Sequence, residues 1–320
     1  MQMVVTRTLP TPLMEHLNRT AQTWINPHDR KLTPCELAKT VADQRPEGLL
    51  VMAMDRIDAG FIDALPDTVK VIATLSVGHD HIDLEAARAR GIAVIHTPDI
   101  LSDAVAEMAI MLMLCAARRA QEGERMIYDK TWQGWSPTQL LGRDVTGARI
   151  GVLGMGRIGQ TIARRAAAGF DMQVHYHNRS RLAPESEAGA TYHATPQALF
   201  AHSDFLILAA PSTPQTKHIL NKRHLALLPE GAVVVNIARG DLVHDGDLIA
   251  ALKSGHVAAA GLDVFEGEPE INPGYLDLEN VFLQPHQGSS TIGTRVLMGQ
   301  MLLDSVAAFA RGETPENKLV

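Results

Sequence analysis

Three polar side chains stand just past apolar runs of the sequence. Arg239 follows VVVNIA, Glu268 lies in FEGEP after AAAGLDVF, and His286 follows NVFLQP. A guanidinium can grip a carboxylate, an imidazolium can give a proton to a carbonyl oxygen, and a carboxylate can keep that imidazole protonated and oriented. The set suits reduction of a 2-oxo acid. A second constellation is IGVLGMGRIGQTIARRAAAG, in which Gly154, Gly156 and Gly159 form GxGxxG with Met155, Arg157 and Ile158 between them. The first glycine permits a tight turn, the second lets backbone approach a pyrophosphate, and the third lets helix pack on strand. About 20 residues on, where an NAD binder carries a carboxylate for the ribose 2′-hydroxyl, the chain reads His177-Asn178-Arg179-Ser180-Arg181. Two guanidiniums and a hydroxyl without an acid suit a 2′-phosphate. NADPH is therefore the expected cofactor, with NADH a weaker alternative.

These residues need a scaffold that brings them to one edge. Strand-like runs occur at Gly48–Ala53, Val69–Leu75 and Ile92–His96, followed by an apolar-faced helix from about Asp103 to Arg119. The Trp-containing stretch TWQGWSPTQLLG reads as a surface excursion. A second set of strands follows at Arg149–Leu153, Met172–His177, Phe205–Ala209, Ala232–Ile237, Val257–Leu262 and Val281–Gln284. Thr195 before Pro196 predicts a helix start, and Gly169 and Gly255 predict helix ends. Strands alternating with helices predict an α/β protein with a doubly wound parallel sheet of the Rossmann type. In such sheets ligands bind beyond the carboxyl ends of the strands, the edge that Arg239, Glu268, His286 and the glycine turn would share.

Composition narrows the class. At 320 residues, with 46% hydrophobic and 20% charged, the chain can bury two cores. Lys+Arg 29 against Asp+Glu 36 gives −7 with no basic block, which argues against a nucleic-acid or membrane-surface partner. The apolar stretch Ala104–Ala117 is broken by Glu107 and too short to span a bilayer, and MQMVVTRTLP lacks the apolar core of a secretory leader. Cys35 and Cys115 are far apart with no CxxC spacing, which fits a reducing cytoplasm and gives no structural zinc site. His79-Asp80-His81 lacks the spacing and further ligands of a metal centre, so no metal is expected. Met108, Met111 and Met113 read as packing on a helix.

The chain resembles the D-isomer-specific 2-hydroxyacid dehydrogenases, and among them the NADP-preferring glyoxylate/hydroxypyruvate reductases. The resemblance runs through TLSVGHDHIDLEAARARGIAVIHTPDI, the glycine fingerprint, NIARGDLV, AAAGLDVFEGEP and QPHQGSST. It implies that Arg239, Glu268 and His286 are the catalytic set. It also implies that the backbone amides of Val77 and Gly78 help hold a small 2-oxo acid, and that Trp135 from the partner of a homodimer lines the pocket. Pro211, Ile237, Ala238, Asp263 and Gly288 are expected along the cofactor with the glycine turn and residues 178–181. A smaller, discontinuous flavodoxin-like α/β substrate domain is implied over residues 1–99 and 288–320, closed by a helix near Ile292–Arg311, with the dinucleotide-binding domain at 100–287. Gln287 is a polar departure beside the histidine and bears on substrate size. The alternatives are a reductase of larger 2-oxo acids and a nucleotide-sensing, corepressor-like binding module.

Overall fold

Along the first five strands, successive side chains enter opposite cores. Val4, Leu49, Val51, Ile72 and Val94 point into one, and Met3, Val5, Leu50, Val71, Ala73 and Ile95 into the other. Burial on both faces explains why these strands read as unbroken apolar runs, as parallel sheets covered on both sides do. The computed structural model describes residues 1–20 and 22–320. It divides into two compact units, Met1–Leu101 with Ser289–Val320, and Ser102–Gly288.

The first unit carries a parallel sheet of β1 (Met3–Val5), β2 (Thr23–Ile25), β3 (Gly48–Val51), β4 (Val71–Thr74) and β5 (Ala93–Ile95) in the order β2-β1-β3-β4-β5. That is the flavodoxin-like order. The helix Ile292–Ala310 completes this unit. It packs Leu302, Leu303 and Val306 into the second of its cores, and at Gly299 comes so near the Leu13 side chain that a Cβ would lie 2.1 Å from it.

The second unit holds β6 (Arg149–Leu153), β7 (Gln173–His177), β8 (Thr191–Tyr192), β9 (Phe205–Leu208), β10 (Ala232–Asn236), β11 (Val257–Leu262) and β12 (Val281–Leu283). Their order, β12-β11-β10-β9-β6-β7-β8, is all parallel and reverses direction at β6. This is the doubly wound Rossmann arrangement, with β8 as an edge strand that the six strands expected from sequence did not include. The helix Ser102–Ala117 is apolar nearly all round and correspondingly buried. At Gly261 of β11 a Cβ would meet its Leu112 at 2.8 Å.

Helix ends follow local chemistry with one correction. Thr195 caps the helix Pro196–Phe200 by accepting from Ala198 N–H, and Gly255 ends another with φ 82°. Gly169 does not end its helix. The helix continues to Phe170 and closes on Asp171 at φ 52°, because Asp is among the few residues that visit the left-handed region readily. Among the described residues no helix is long and apolar enough to cross a membrane.

Candidate active site

Strand register sets the edge. His177, Leu153, Leu208, Asn236, Leu262 and Leu283 are paired in sequence across β7, β6, β9, β10, β11 and β12. The loops that carry the glycine turn, residues 178–181, Arg239, Glu268 and His286 leave from this row, at the carboxyl ends of the strands.

At the reversal point, the glycine turn leaves β6. Gly154 has φ 99°, and a Cβ there would lie 2.5 Å from the backbone nitrogen of Ala210, so no other residue fits. Gly156 faces open space, whereas a Cβ on Gly159 would lie 2.3 Å from the Gly154 carbonyl oxygen. Arg157 starts the 14-residue helix Arg157–Phe170, whose first N–H groups and dipole favour an anion. The open cradle at Gly156 and this helix end fit a dinucleotide pyrophosphate. Met155 is buried, and Ile158 is half-buried.

The loop after β7 divides its labour. Asn178 Oδ1 accepts from Met155 N–H at 2.6 Å, so Asn178 braces the glycine turn. Arg179 and Ser180 are exposed. Arg181 forms a two-point pair with Glu187, 2.8 and 2.9 Å, and the Tyr176 hydroxyl donates to the same carboxylate at 2.6 Å. Together they hold the Glu187 carboxyl down at about 2, through Arg181 first and Tyr176 second. The sequence reading missed Glu187, whose partners lie six and eleven residues back across a turn.

The three polar side chains sit past adjacent strands β10, β11 and β12. His286 Nδ1 lies 2.6 Å from Glu268 Oε1. A carboxylate oxygen can only accept, so Nδ1 carries the proton and Nε2 is the nitrogen left for other work. Glu268 is itself held by Phe265 N–H on its other oxygen, at 3.2 Å. The pair is partly open, the side chains 35% and 20% exposed, which leaves room for a reactant.

Two buried polar residues that end β10 or follow β11 shape these loops. Asn236, 1% exposed, accepts from Ala238 N–H at 3.1 Å and donates to the Arg239 carbonyl at 2.8 Å. It thereby folds Ile237, Ala238 and Arg239 into a turn. Asp263, also 1% exposed, was expected along the cofactor. Its two carboxylate oxygens accept from Gln287 N–H at 2.6 Å and Gly288 N–H at 2.7 Å. His286 N–H donates to the Asp263 carbonyl at 2.8 Å. These bonds hold His286 at φ 54°. Burial pushes the Asp263 carboxyl up, opposed by those amides and by His286. Gly240 is a further residue the reading passed over: a Cβ there would fall 1.8 Å from the Phe265 carbonyl carbon. Only a glycine lets the Arg239 turn lie against the loop that carries Glu268; its place directly after Arg239 was the available signal. Pro211 follows β9, exposed, and its carbonyl accepts from Thr216 at 2.7 Å.

In the first unit, Val77 and Gly78 follow β4. His96 Nδ1 meets the Val77 carbonyl at 3.0 Å, and Ser76 Oγ donates to the Gly78 carbonyl at 2.7 Å. Their own N–H groups meet no protein acceptor among the described residues. Trp135 is 84% exposed, within a stretch from Thr131 to Thr138 that is exposed throughout.

Known proteins resemble this chain along its whole length. A family model described as D-isomer specific 2-hydroxyacid dehydrogenase, NAD binding domain, matches residues 110–288. The glycerate dehydrogenase of Hyphomicrobium methylovorum is 41% identical over 97% of this chain and 96% of its own length. The glyoxylate reductase/hydroxypyruvate reductase of Homo sapiens is 38% identical, with 100% of this chain and 98% of the relative covered. An NADPH-dependent glyoxylate/hydroxypyruvate reductase from Sinorhizobium meliloti, solved in complex with NADP and malonate, has a TM-score of 0.88 at 31% identity. That match covers 100% of this chain and 96% of the other.

Proposed function

Because this chain belongs to the D-isomer-specific 2-hydroxyacid dehydrogenase family, we propose that it reduces small 2-oxo acids, glyoxylate and hydroxypyruvate among them, to 2-hydroxy acids. The observation that carries the reading is the His286–Glu268 pair at 2.6 Å, one strand away from the Arg239 turn and on the same sheet edge as the glycine turn. Reduced nicotinamide, when bound, supplies the hydride to the carbonyl carbon. His286 delivers a proton from Nε2 to the carbonyl oxygen, while Glu268 fixes the ring and balances its charge. Arg239 holds the substrate carboxylate, a role that the resemblance also gives to the amides of Val77 and Gly78. The relatives named for glycerate, glyoxylate and hydroxypyruvate support this size class.

NADPH is the proposed cofactor. No carboxylate stands in the sequence where a ribose 2′-hydroxyl would need one, and Arg179 and Ser180 are exposed beside the glycine turn. Arg181 contributes less than its charge suggests, because Glu187 already pairs with it. The test is turnover of glyoxylate, hydroxypyruvate and bulkier 2-oxo acids under NADPH and NADH. We expect the two small acids with NADPH to give the highest kcat/KM; failure to turn over any of them would sink the proposal.

A further inference from the structure

We propose that His96 and Ser76 are positioning residues for an anion-binding backbone loop, acting through the carbonyls of Val77 and Gly78 to aim the N–H groups of Gly78 and His79. The inference rests on the functional reading above, in which the amides of Val77 and Gly78 take the substrate carboxylate, and it adds the His79 amide to them.

The reason lies in the peptide group. The Val77 carbonyl and the Gly78 N–H belong to one planar unit, as do the Gly78 carbonyl and the His79 N–H. Neither unit is cis, so in each the C=O and N–H point in opposite directions. A donor fastened to the carbonyl therefore fixes where the N–H points. It also polarises the unit and strengthens the N–H as a donor.

Both carbonyls are fastened. His96 Nδ1 lies 3.0 Å from the Val77 oxygen; a carbonyl only accepts, so Nδ1 bears the proton. His96 cannot drift, since its backbone N–H donates to Asn317 O and Asn317 Nδ2 donates back to its carbonyl at 2.7 Å. Asn317 is itself 8% exposed and held by Ser305. At the next unit, Ser76 Oγ donates to the Gly78 oxygen at 2.7 Å. That uses its single proton, so the 2.8 Å contact with Thr74 must run from Thr74 to Ser76. Thr74 must then accept from His81 Nε2 at 2.9 Å. The result is a chain of donors, all running one way, from His81 through Thr74 and Ser76 to the loop. Meanwhile the N–H groups of Val77, Gly78 and His79 have no acceptor among the described residues. Three successive amides in this bend are thereby left with donors to offer an anion.

The experiment measures glyoxylate and NADPH kinetics for His96→Ala, His96→Asn and Ser76→Ala, together with binding of oxamate, a non-reducible 2-oxo acid analogue, under saturating NADPH. Loss of one aligned donor should raise the glyoxylate KM and the oxamate Kd about tenfold in His96→Ala and Ser76→Ala. Binding lost equally from ground and transition states should leave kcat and the NADPH KM within about twofold. His96→Asn should recover most of the loss, because Asn Nδ2 stands where His Nδ1 does. An unchanged oxamate Kd in both alanine variants overturns the assignment, as does a His96→Asn no better than His96→Ala. A fall in kcat with both KM values moving together, the mark of a loosened fold, also overturns it. A parent protein that binds oxamate yet reduces no 2-oxo acid refutes the functional reading instead, so the two failures separate.

Discussion

With Nδ1 committed to Glu268, His286 has one nitrogen to offer a reactant, and its removal should be felt in the chemical step. His286→Ala is expected to lower kcat by roughly 10² to 10⁴, the usual weight of a general acid, with the KM values little changed; steady-state kinetics with glyoxylate and NADPH checks this. Arg239→Lys should instead act on KM, because an ammonium cannot reproduce a two-point grip on a carboxylate. Cofactor choice is also a residue-scale matter. If Arg179 makes a charge-assisted bond to the 2′-phosphate, Arg179→Ala loses about 1.5 to 3 kcal/mol of binding, or one to two powers of ten in affinity. The NADPH KM should rise accordingly while that for NADH stays put. Adding Arg181→Ala should deepen the NADPH defect, since it also exposes the Glu187 carboxylate beside the loop. A variant losing both cofactors equally would contradict this reading of the loop.

At the scale of the element, Gly240 and the β7–β8 edge make distinct claims. Gly240→Ala must push the Arg239 turn away from the Phe265–Glu266 backbone, so kcat/KM should collapse while NADPH binding, governed by the glycine turn after β6, persists in a fluorescence titration. The β7–β8 edge carries three packed imidazoles. His175 Nδ1 and His193 Nε2 are 2.9 Å apart, and His202 lies over both, ring centroids 5.7 and 4.8 Å away. Burial first, then the nearby His193, His202 and Arg149, push the His175 imidazole below its ordinary range, against the pull of Asp204. His193 is lowered by burial, then by His202 and His177. The folded state thus prefers these rings neutral, and the unfolded chain binds more protons as pH falls. The stabilisation is fully present above about pH 6.5 and is lost as pH drops through the lowered folded values. The protection of the Gln173–His177 amides, measured as the exchange rate relative to the intrinsic rate at each pH, should therefore fall from about pH 7.5 to about pH 5.5, and His193→Gln should flatten that change. A pH-independent protection factor in the parent would show that the cluster carries no linkage.

For the whole molecule, the question is what covers its exposed apolar surface. Ile127, Tyr128, Trp132, Trp135 and Leu141 are between 54% and 84% exposed, all within one stretch of chain in the second unit. Apolar groups clustered in this way mark interaction sites. We expect a C2 homodimer that buries them, sedimenting as such at micromolar concentration; a stable monomer in analytical ultracentrifugation would refute it. If Trp135 reaches the partner's substrate pocket, Trp135→Ala should raise the glyoxylate KM even where the dimer survives.

Residue order alone determined the alternation of strand and helix, hence the doubly wound sheet, and placed Arg239, Glu268, His286 and the glycine turn past strand ends. Those signals are local: runs of apolar residues, a glycine spacing, polar residues at known distances from a run. β1, β2 and β8, of two or three residues each, are not among the strand-like runs of the sequence. What the chain pattern could not reveal are the bonds that depend on register between distant segments. Asp263 reaches amides 24 and 25 residues on, and His96 reaches the Val77 carbonyl 19 residues back. Asp263 is expected along the cofactor through the resemblance, and Arg181 because a guanidinium just past β7, with no acid beside it, suits a 2′-phosphate. Only the tertiary structure assigns Asp263 to the His286 turn and pairs Arg181 with Glu187, because a hydrogen bond is decided by where the acceptor's atoms come to rest after neighbouring strands have packed.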